Sequence, residues 1–252
     1  MKKSAIIVET RKYRSLEFVL NNVMSNLSTE WFLQIFHGRN NLEYIKDVIN
    51  RNEFLSSIKN RILFNNLNID SITQEETNLD IMLTEDFWNN VMGDTVLYFE
   101  SDSMICSNSE YKVEDFEHFD YIGGYWGNQV LPLSDEYTRV MNGGISIRKK
   151  QYMLDIIKNK LDPYLKNGGN PCEDYFVSEH ITVKPTVEQV MNFSIDNGYI
   201  SPLNMKAPFA LHKPWGAIPA KGHGVGYNDI KKVCDNVELL KSLQNEQTWW
   251  NN

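Results

Sequence analysis

Glu100 and Asp102 stand one residue apart where an apolar run stops, in the segment Leu97-Tyr98-Phe99-Glu100-Ser101-Asp102-Ser103. Residues 96–99 read as a short buried strand of an α/β sheet. Ligands of open α/β sheets bind beyond the carboxyl ends of such strands. Two carboxylates there would repel a phosphate unless a divalent cation sat between them, and oxygen ligands suit Mg²⁺ or Mn²⁺. The pair is therefore a candidate metal–diphosphate site. The same triplet also makes an ordinary turn, because Ser and Asp bond to nearby backbone. What the rest of the chain places around it decides between the two.

The elements that would position these acids follow from periodicity. Residues 4–9 form an apolar strand, and Leu16, Val19, Leu20, Val23 and Leu27 recur at helical spacing after it. Residues 31–36 form a second strand ending in His37-Gly38-Arg39, followed by a helical pattern over 42–49. Two strand–helix units in succession imply a parallel sheet. Residues 61–65 make a third strand and 81–92 a helix, before the strand that ends at Glu100. This amino-terminal part is of Rossmann type, yet neither GxGxxG nor GxxxxGK[ST] follows any strand, which argues against a nicotinamide or P-loop enzyme.

Farther along, 119–125 reads as a strand and 141–148 as a half-buried strand after a turn, although Asn142-Gly143 is also the commonest hairpin pair. Met153, Ile157, Leu161, Tyr164 and Leu165 mark a helix stopped by Asn167-Gly168-Gly169, and residues 172–176 open another with acids in its first turn. Residues 199–226 are loop-rich, and a final amphipathic helix carries Ile230, Val233, Cys234, Val237 and Leu240. The expected architecture is one α/β domain over 1–252 with a mostly parallel central sheet and flanking helices. It divides into a Rossmann-type nucleotide-binding half (1–110), a second half (111–226), and a carboxy-terminal helix and tail (227–252).

Composition narrows the function. With 42% hydrophobic and 23% charged residues the chain has the make-up of a globular protein. A net charge of -8 opposes a nucleic-acid surface, which needs clustered Lys and Arg. The basic start turns acidic at Glu9, too early for a signal peptide, and no apolar run is long enough to span a bilayer, so a cytoplasmic location is expected. Cys106, Cys172 and Cys234 are far apart and odd in number, and are expected to be reduced.

One family shares several motifs in this order: acid-x-Asp after a strand, Asp120-Tyr121-Ile122-Gly123-Gly124-Tyr125-Trp126, Asn142-Gly143-Gly144-Ile145-Ser146-Ile147-Arg148, Glu173-Asp174-Tyr175-Phe176 and His212-Lys213-Pro214-Trp215. The chain resembles GT-A glycosyltransferases, and within them a poorly characterised family that also shares Val8-Glu9-Thr10-Arg11 and Leu33-Gln34-Ile35-Phe36-His37-Gly38. The resemblance runs from Ile6 to Trp215. It implies a GT-A fold and transfer of a sugar from a nucleotide diphosphate sugar, of which UDP-sugars are the commonest, to an acceptor hydroxyl on a glycan, protein or lipid-linked sugar.

Site roles follow from the same resemblance. Asp102, supported by Glu100 and completed by His212, would hold Mn²⁺ or Mg²⁺. Thr10 and Arg11 close the strand that holds base and ribose, and Gly38 and Ser101 join them at the donor. Asn142, Gly143 and Gly144 would meet the donor sugar. Asp174, with Glu173 second, would act as the catalytic base. Trp126 and Trp215 have faces suited to stacking on sugars. Two other functions share such a fold: a sugar nucleotidyltransferase, which usually carries a glycine-rich basic loop where this chain has Glu9-Thr10-Arg11-Lys12-Tyr13, and a noncatalytic carbohydrate-binding protein.

Overall fold

A computed structural model of the protein describes residues 2–70, 81–125, 140–196, 206–216 and 226–244. The strands are β1 (Lys3–Glu9), β2 (Trp31–His37), β3 (Ile62–Asn66), β4 (Thr95–Phe99), β5 (Ser103–Ile105), β6 (Tyr121–Tyr125), β7 (Met141–Lys149), β8 (Ser194–Ile195) and β9 (Ala210–His212). They form one mixed sheet in the order β3-β2-β1-β4-β7-β6-β8-β9-β5. The amino-terminal strands β3, β2, β1 and β4 are parallel neighbours, as the alternation of strands and helices predicts. β7 pairs antiparallel with both β4 and β6.

The helices flank the sheet: α1 (Leu16–Ser25), α2 (Leu42–Arg51), α3 (Glu53–Ser57), α4 (Glu85–Asn90), α5 (Lys150–Ile156), α6 (Asp162–Lys166), α7 (Glu173–His180), α8 (Val187–Phe193), α9 (Tyr227–Val233) and α10 (Val237–Gln244). Helix α1 buries Leu16, Val19, Leu20 and Val23 on one face, together with the polar Asn22. The Asn22 amide donates to the Ile105 carbonyl at 3.0 Å and accepts from the Ile105 N–H at 2.7 Å. It thereby satisfies the outer edge of β5, the end strand of the sheet.

Three sequence expectations need correction. Strand β7 is buried on both faces except at Asn142 and Lys149, not half-buried, although Asn142-Gly143 lies inside it as expected. The helix expected over 81–92 is interrupted: Ile81 and Met82 lie in a π turn, Thr84 caps the start of α4, and the chain is extended again by Val91. That return brings Gly93 against Ser4 of β1, where a Cβ would lie 2.7 Å from the Ser4 nitrogen. The last amphipathic helix is two helices, broken where Asn236 takes a left-handed φ of 66°. The pattern over 150–166 is helical as expected, with a π turn at Ile157–Leu161 between α5 and α6, and it stops at Gly168 with φ 80°.

Cys106 and Cys234 form a disulfide across 128 residues, contrary to the expectation of reduced thiols. Sequence spacing hid the pair because the fold alone brings the end of β5 to the end of α9. Cys172 keeps a free, half-buried thiol pushed up to about 12, by burial first and then by Asp174 and Glu173, which makes it a poor nucleophile. Reduction of the disulfide should cost roughly 2–4 kcal/mol of stability. The urea midpoints of oxidised and dithiothreitol-treated protein measure this, and equal midpoints would contradict the pairing.

Candidate metal and donor site

The turn between β4 and β5 is held on several sides. The Glu100 N–H donates to the Gly144 carbonyl of β7 at 2.9 Å, and the Ser103 hydroxyl donates to the same carbonyl at 2.7 Å. The Ser101 carbonyl accepts from the Ser15 hydroxyl at 2.8 Å and from Gln244 of α10 at 2.6 Å. The Lys213 N–H donates to the Asp102 carbonyl at 3.2 Å. Ser101, Asp102 and Ser103 are all buried. The two acids therefore sit on a backbone fixed from β7, from the approach to α1 and from the carboxy-terminal helix.

His212 reaches them through sheet register. β9 pairs antiparallel with β5, placing His212 opposite Ser103. Its Nε2 lies 3.2 Å from Glu100 Oε2 and 3.2 Å from Asp102 Oδ1, and its Nδ1 lies 2.8 Å from Asp196 Oδ1. One ligand atom each from Glu100, Asp102 and His212 can be chosen so that all lie within 4.8 Å of one another. Asp102 Oδ1, Asp196 Oδ1 and both ring nitrogens of His212 are buried without an aligned hydrogen bond, although they lie close together. Two carboxylates and an imidazole aimed at one point, with orphaned polar atoms among them, fit a divalent cation such as Mn²⁺ or Mg²⁺.

Lys213 occupies the same neighbourhood. Its ammonium lies 3.4 Å from Asp102 Oδ2 and 3.6 Å from Glu100 Oε2, and its backbone holds a left-handed φ of 45°. Such a conformation in a non-glycine residue persists where surrounding contacts enforce it. Burial opposes charge on Asp102 and Glu100, but Lys213 and His212 outweigh it and hold both carboxyls below the usual range. Burial likewise opposes charge on His212, while Asp196 and Asp102 hold its imidazole well above its ordinary value. The Lys213 ammonium supplies positive charge beside the two acids.

Two adjacent glycines of β7 separate this cluster from a second one. A Cβ on Gly144 would fall 2.3 Å from His212 Cε1, whereas one on Gly143 would fall 2.5 Å from Asp174 Oδ1 and 2.7 Å from Arg148 Nη2. The two glycines lie where β7 shifts register against β6, and the strand there leaves no room for a side chain toward either group. Asp174 accepts from the Gly143 N–H at 2.7 Å and from the Asn142 amide at 3.3 Å. Burial, reinforced by the neighbouring Glu173, raises its carboxyl well above the usual range.

Glu173 is ion-paired with Arg148, which is fully buried. The guanidinium stacks 4.8 Å from the Tyr98 ring and 5.5 Å from the Tyr121 ring, and it donates to Ser146 Oγ and the Gly143 carbonyl. Breaking a buried pair by removing one partner strands the other charge, so Arg148→Met should cost about 3–5 kcal/mol. Adding Glu173→Gln should restore most of that loss. Equal urea midpoints for wild type and Arg148→Met would contradict the pairing.

At the ends of β1 and β2, Arg11 forms a bidentate pair with buried Glu9, at 2.8 and 2.9 Å, and lies 4.2 Å from the Tyr13 ring centre. The Thr10 hydroxyl is buried with no hydrogen-bond partner among the described residues. Gly38 packs on Thr10, since a Cβ there would meet Thr10 Cβ at 3.2 Å and the Ile69 carbonyl at 2.9 Å. Asn41 ties the two strand ends together, bonding the Gly38 N–H and the carbonyls of Glu9 and Arg11.

Trp215 lies in a 3₁₀ turn, partly buried against the core, and Trp126 falls outside the described residues. Sequence reading missed Asp196, Lys213, Arg148 and Glu9 as site members. Lys213 had a signal, its place beside His212. Asp196 had none before the β8–β9 register was known.

Residues 61–212, more than half of the chain, match the family described as Protein of unknown function (DUF5672). The chain belongs to that family. No curated protein matches it. Among solved structures, this DUF5672 chain is similar to the galactosyltransferase LgtC in complex with donor and acceptor sugar analogs. The TM-score is 0.58 at 11% identity, over 98% of both chains. It is also similar to the glycosyltransferase GlyE of Streptococcus pneumoniae TIGR4, with a TM-score of 0.54 at 11% identity. That match covers 98% of this chain and spans 63% of the GlyE chain. At such identities the likeness is one of fold, and it identifies the DUF5672 chain as a single mixed α/β domain of GT-A type, with a mostly parallel sheet and flanking helices.

Proposed function

We propose that the protein is a metal-dependent glycosyltransferase moving a sugar from a nucleotide diphosphate sugar, of the UDP-sugar class, to an acceptor hydroxyl. One observation carries this reading: Glu100, Asp102 and His212 converge beyond the carboxyl end of β4, with the Lys213 ammonium beside them. Acids that converge in this way at the nucleotide end of a GT-A fold suit a diphosphate only if a cation joins them. The solved structures of similar fold are of glycosyltransferases, which supports the same reading.

Asp102, Glu100 and His212 would hold Mn²⁺ or Mg²⁺, which when bound supplies Lewis-acid stabilisation of charge on the departing diphosphate. Lys213, whose ammonium lies beside Glu100 and Asp102, would offer its charge to the phosphate oxygens. Thr10, Gly38, Ser101 and the Arg11–Tyr13 stack face the nucleoside, and Asn142 with the backbone of Gly143 and Gly144 lines the sugar. Asp174 is the candidate base for the proton of the attacking hydroxyl. Glu173, ion-paired with Arg148, lies beside it.

The acceptor is a hydroxyl of a glycan, a protein or a lipid-linked sugar. No helix among the described residues is long and apolar enough to cross a membrane. The cytoplasmic location expected from the sequence conflicts with the disulfide, since cytosolic thiols are kept reduced, and thiol titration of freshly lysed cells decides between them.

The test of function is release of nucleoside diphosphate from a panel of nucleotide sugars with Mn²⁺ or with EDTA. The reading requires release from at least one donor, abolished by EDTA. Release from none, or release indifferent to EDTA, would overturn it.

A further inference from the structure

Asp196 is the first residue after β8. The parallel pairs Ser194 with Ala210 and Ile195 with Leu211 continue in register, bringing Asp196 beside His212. On the other side of β9, antiparallel pairing sets His212 against Ser103, next to Asp102. The imidazole thus lies between two acidic positions, Asp196 Oδ1 at 2.8 Å from Nδ1 and the Glu100 and Asp102 oxygens at 3.2 Å from Nε2. Asp196 is 2% exposed and His212 3% exposed.

A carboxylate buried to this degree needs a partner, and among the described residues its one ion pair is with His212. Its backbone is fixed as well, the N–H donating to the Tyr125 carbonyl at 3.2 Å. Gly144 closes the remaining side of the ring so tightly that even a methyl group would collide with it. The ring therefore has one orientation, set by the strands around it.

We propose that Asp196 is a positioning residue for the metal site: its carboxylate, 2.8 Å from His212 Nδ1, fixes the ring so that Nε2 faces the point where Glu100 and Asp102 converge. The inference rests on the metal-dependent reading given above. Asp196 is not itself a ligand, because it meets the ring nitrogen opposite the one that faces the acids. A histidine ligand steadied by a carboxylate on its second nitrogen gains both a defined tautomer and basicity.

Calorimetric titration of Mn²⁺ into the full chain without nucleotide tests the proposal, with nitrogen-15 spectra of the His212 ring in the metal-free protein as a second readout. Asp196→Ala should weaken Mn²⁺ binding by about 10- to 100-fold, the range for lost carboxylate support of a metal-ligating histidine. Asp196→Asn, whose amide oxygen can still accept from Nδ1, should recover part of the loss. The ring spectrum should show Nδ1 protonated in wild type and a changed protonation pattern in Asp196→Ala.

Failure of wild type to bind Mn²⁺ would bring down the functional reading itself. Tight binding by wild type and equally tight binding by Asp196→Ala would overturn the positioning role alone, as would weakened binding with an unaltered ring spectrum. If Asp196→Ala does not fold, wild type against Asp196→Asn decides: an intermediate affinity with Nδ1 still protonated supports the role, and an unchanged affinity opposes it.

Discussion

Asp102→Asn should abolish metal-dependent turnover while leaving a folded protein. The substitution keeps the shape of the side chain but removes the charge that both His212 Nε2 and Lys213 approach. Loss of a cation's stabilisation of the departing diphosphate amounts to several kcal/mol, which corresponds to a rate lower by roughly a thousandfold or more. Folding survives because Glu100 still faces Lys213 and Asp196 still faces His212. Nucleoside diphosphate release with Mn²⁺, set beside a circular dichroism melt, reads both effects. Turnover within tenfold of wild type would remove Asp102 from the metal site.

Gly144→Ala should be nearly as damaging, although it adds one methyl group and no charge. The added Cβ would lie 2.3 Å from His212 Cε1 and 2.5 Å from both ring nitrogens, and a stiff ring clamped by Asp196 has no flexible end to yield. Overpacking of this kind costs about 1–3 kcal/mol of stability. Displacement of a site group by about 1 Å can cost on the order of a hundredfold in rate. Gly143→Ala supplies the contrast, since its methyl group presses on Asp174 and Arg148 instead. Mn²⁺ affinity should fall in Gly144→Ala and hold in Gly143→Ala. Equal affinities in the two variants would show that the strand does not divide the two clusters as described.

The parts of this fold legible in the sequence are those long enough to express a period. β1, α1, β2 and α2 each run for seven to ten residues, and their apolar spacing announces them. β5, β8 and β9 have three, two and three residues, too few for any alternation, and their pairing partners come from distant parts of the chain. That is why Glu100 and Asp102 are visible as a motif, while the carboxylate behind His212 is not. The pair Cys106–Cys234 is hidden for the same reason.

β7 misled in the opposite direction. Ile145-Ser146-Ile147-Arg148 alternates like a surface strand, but helices cover its polar side, and Arg148 is buried because Glu173, Tyr98 and Tyr121 receive it. Asn142-Gly143 resembles a hairpin turn, yet Gly143 serves close packing against Asp174, and Gly144 against His212. Short-range pattern reports the local period of the backbone. It does not report what the tertiary fold stacks against each face.

The most direct measurement is calorimetric binding of UDP to the metal-free protein, to the protein with Mn²⁺, and to Asp102→Asn with Mn²⁺. A diphosphate held through a cation on Glu100, Asp102 and His212 predicts that Mn²⁺ tightens UDP binding by at least about tenfold, or ~1.4 kcal/mol, and that Asp102→Asn loses this gain. UDP binding of equal strength with and without Mn²⁺, or a full Mn²⁺ effect in Asp102→Asn, would contradict the assignment of these three residues to a metal–diphosphate site.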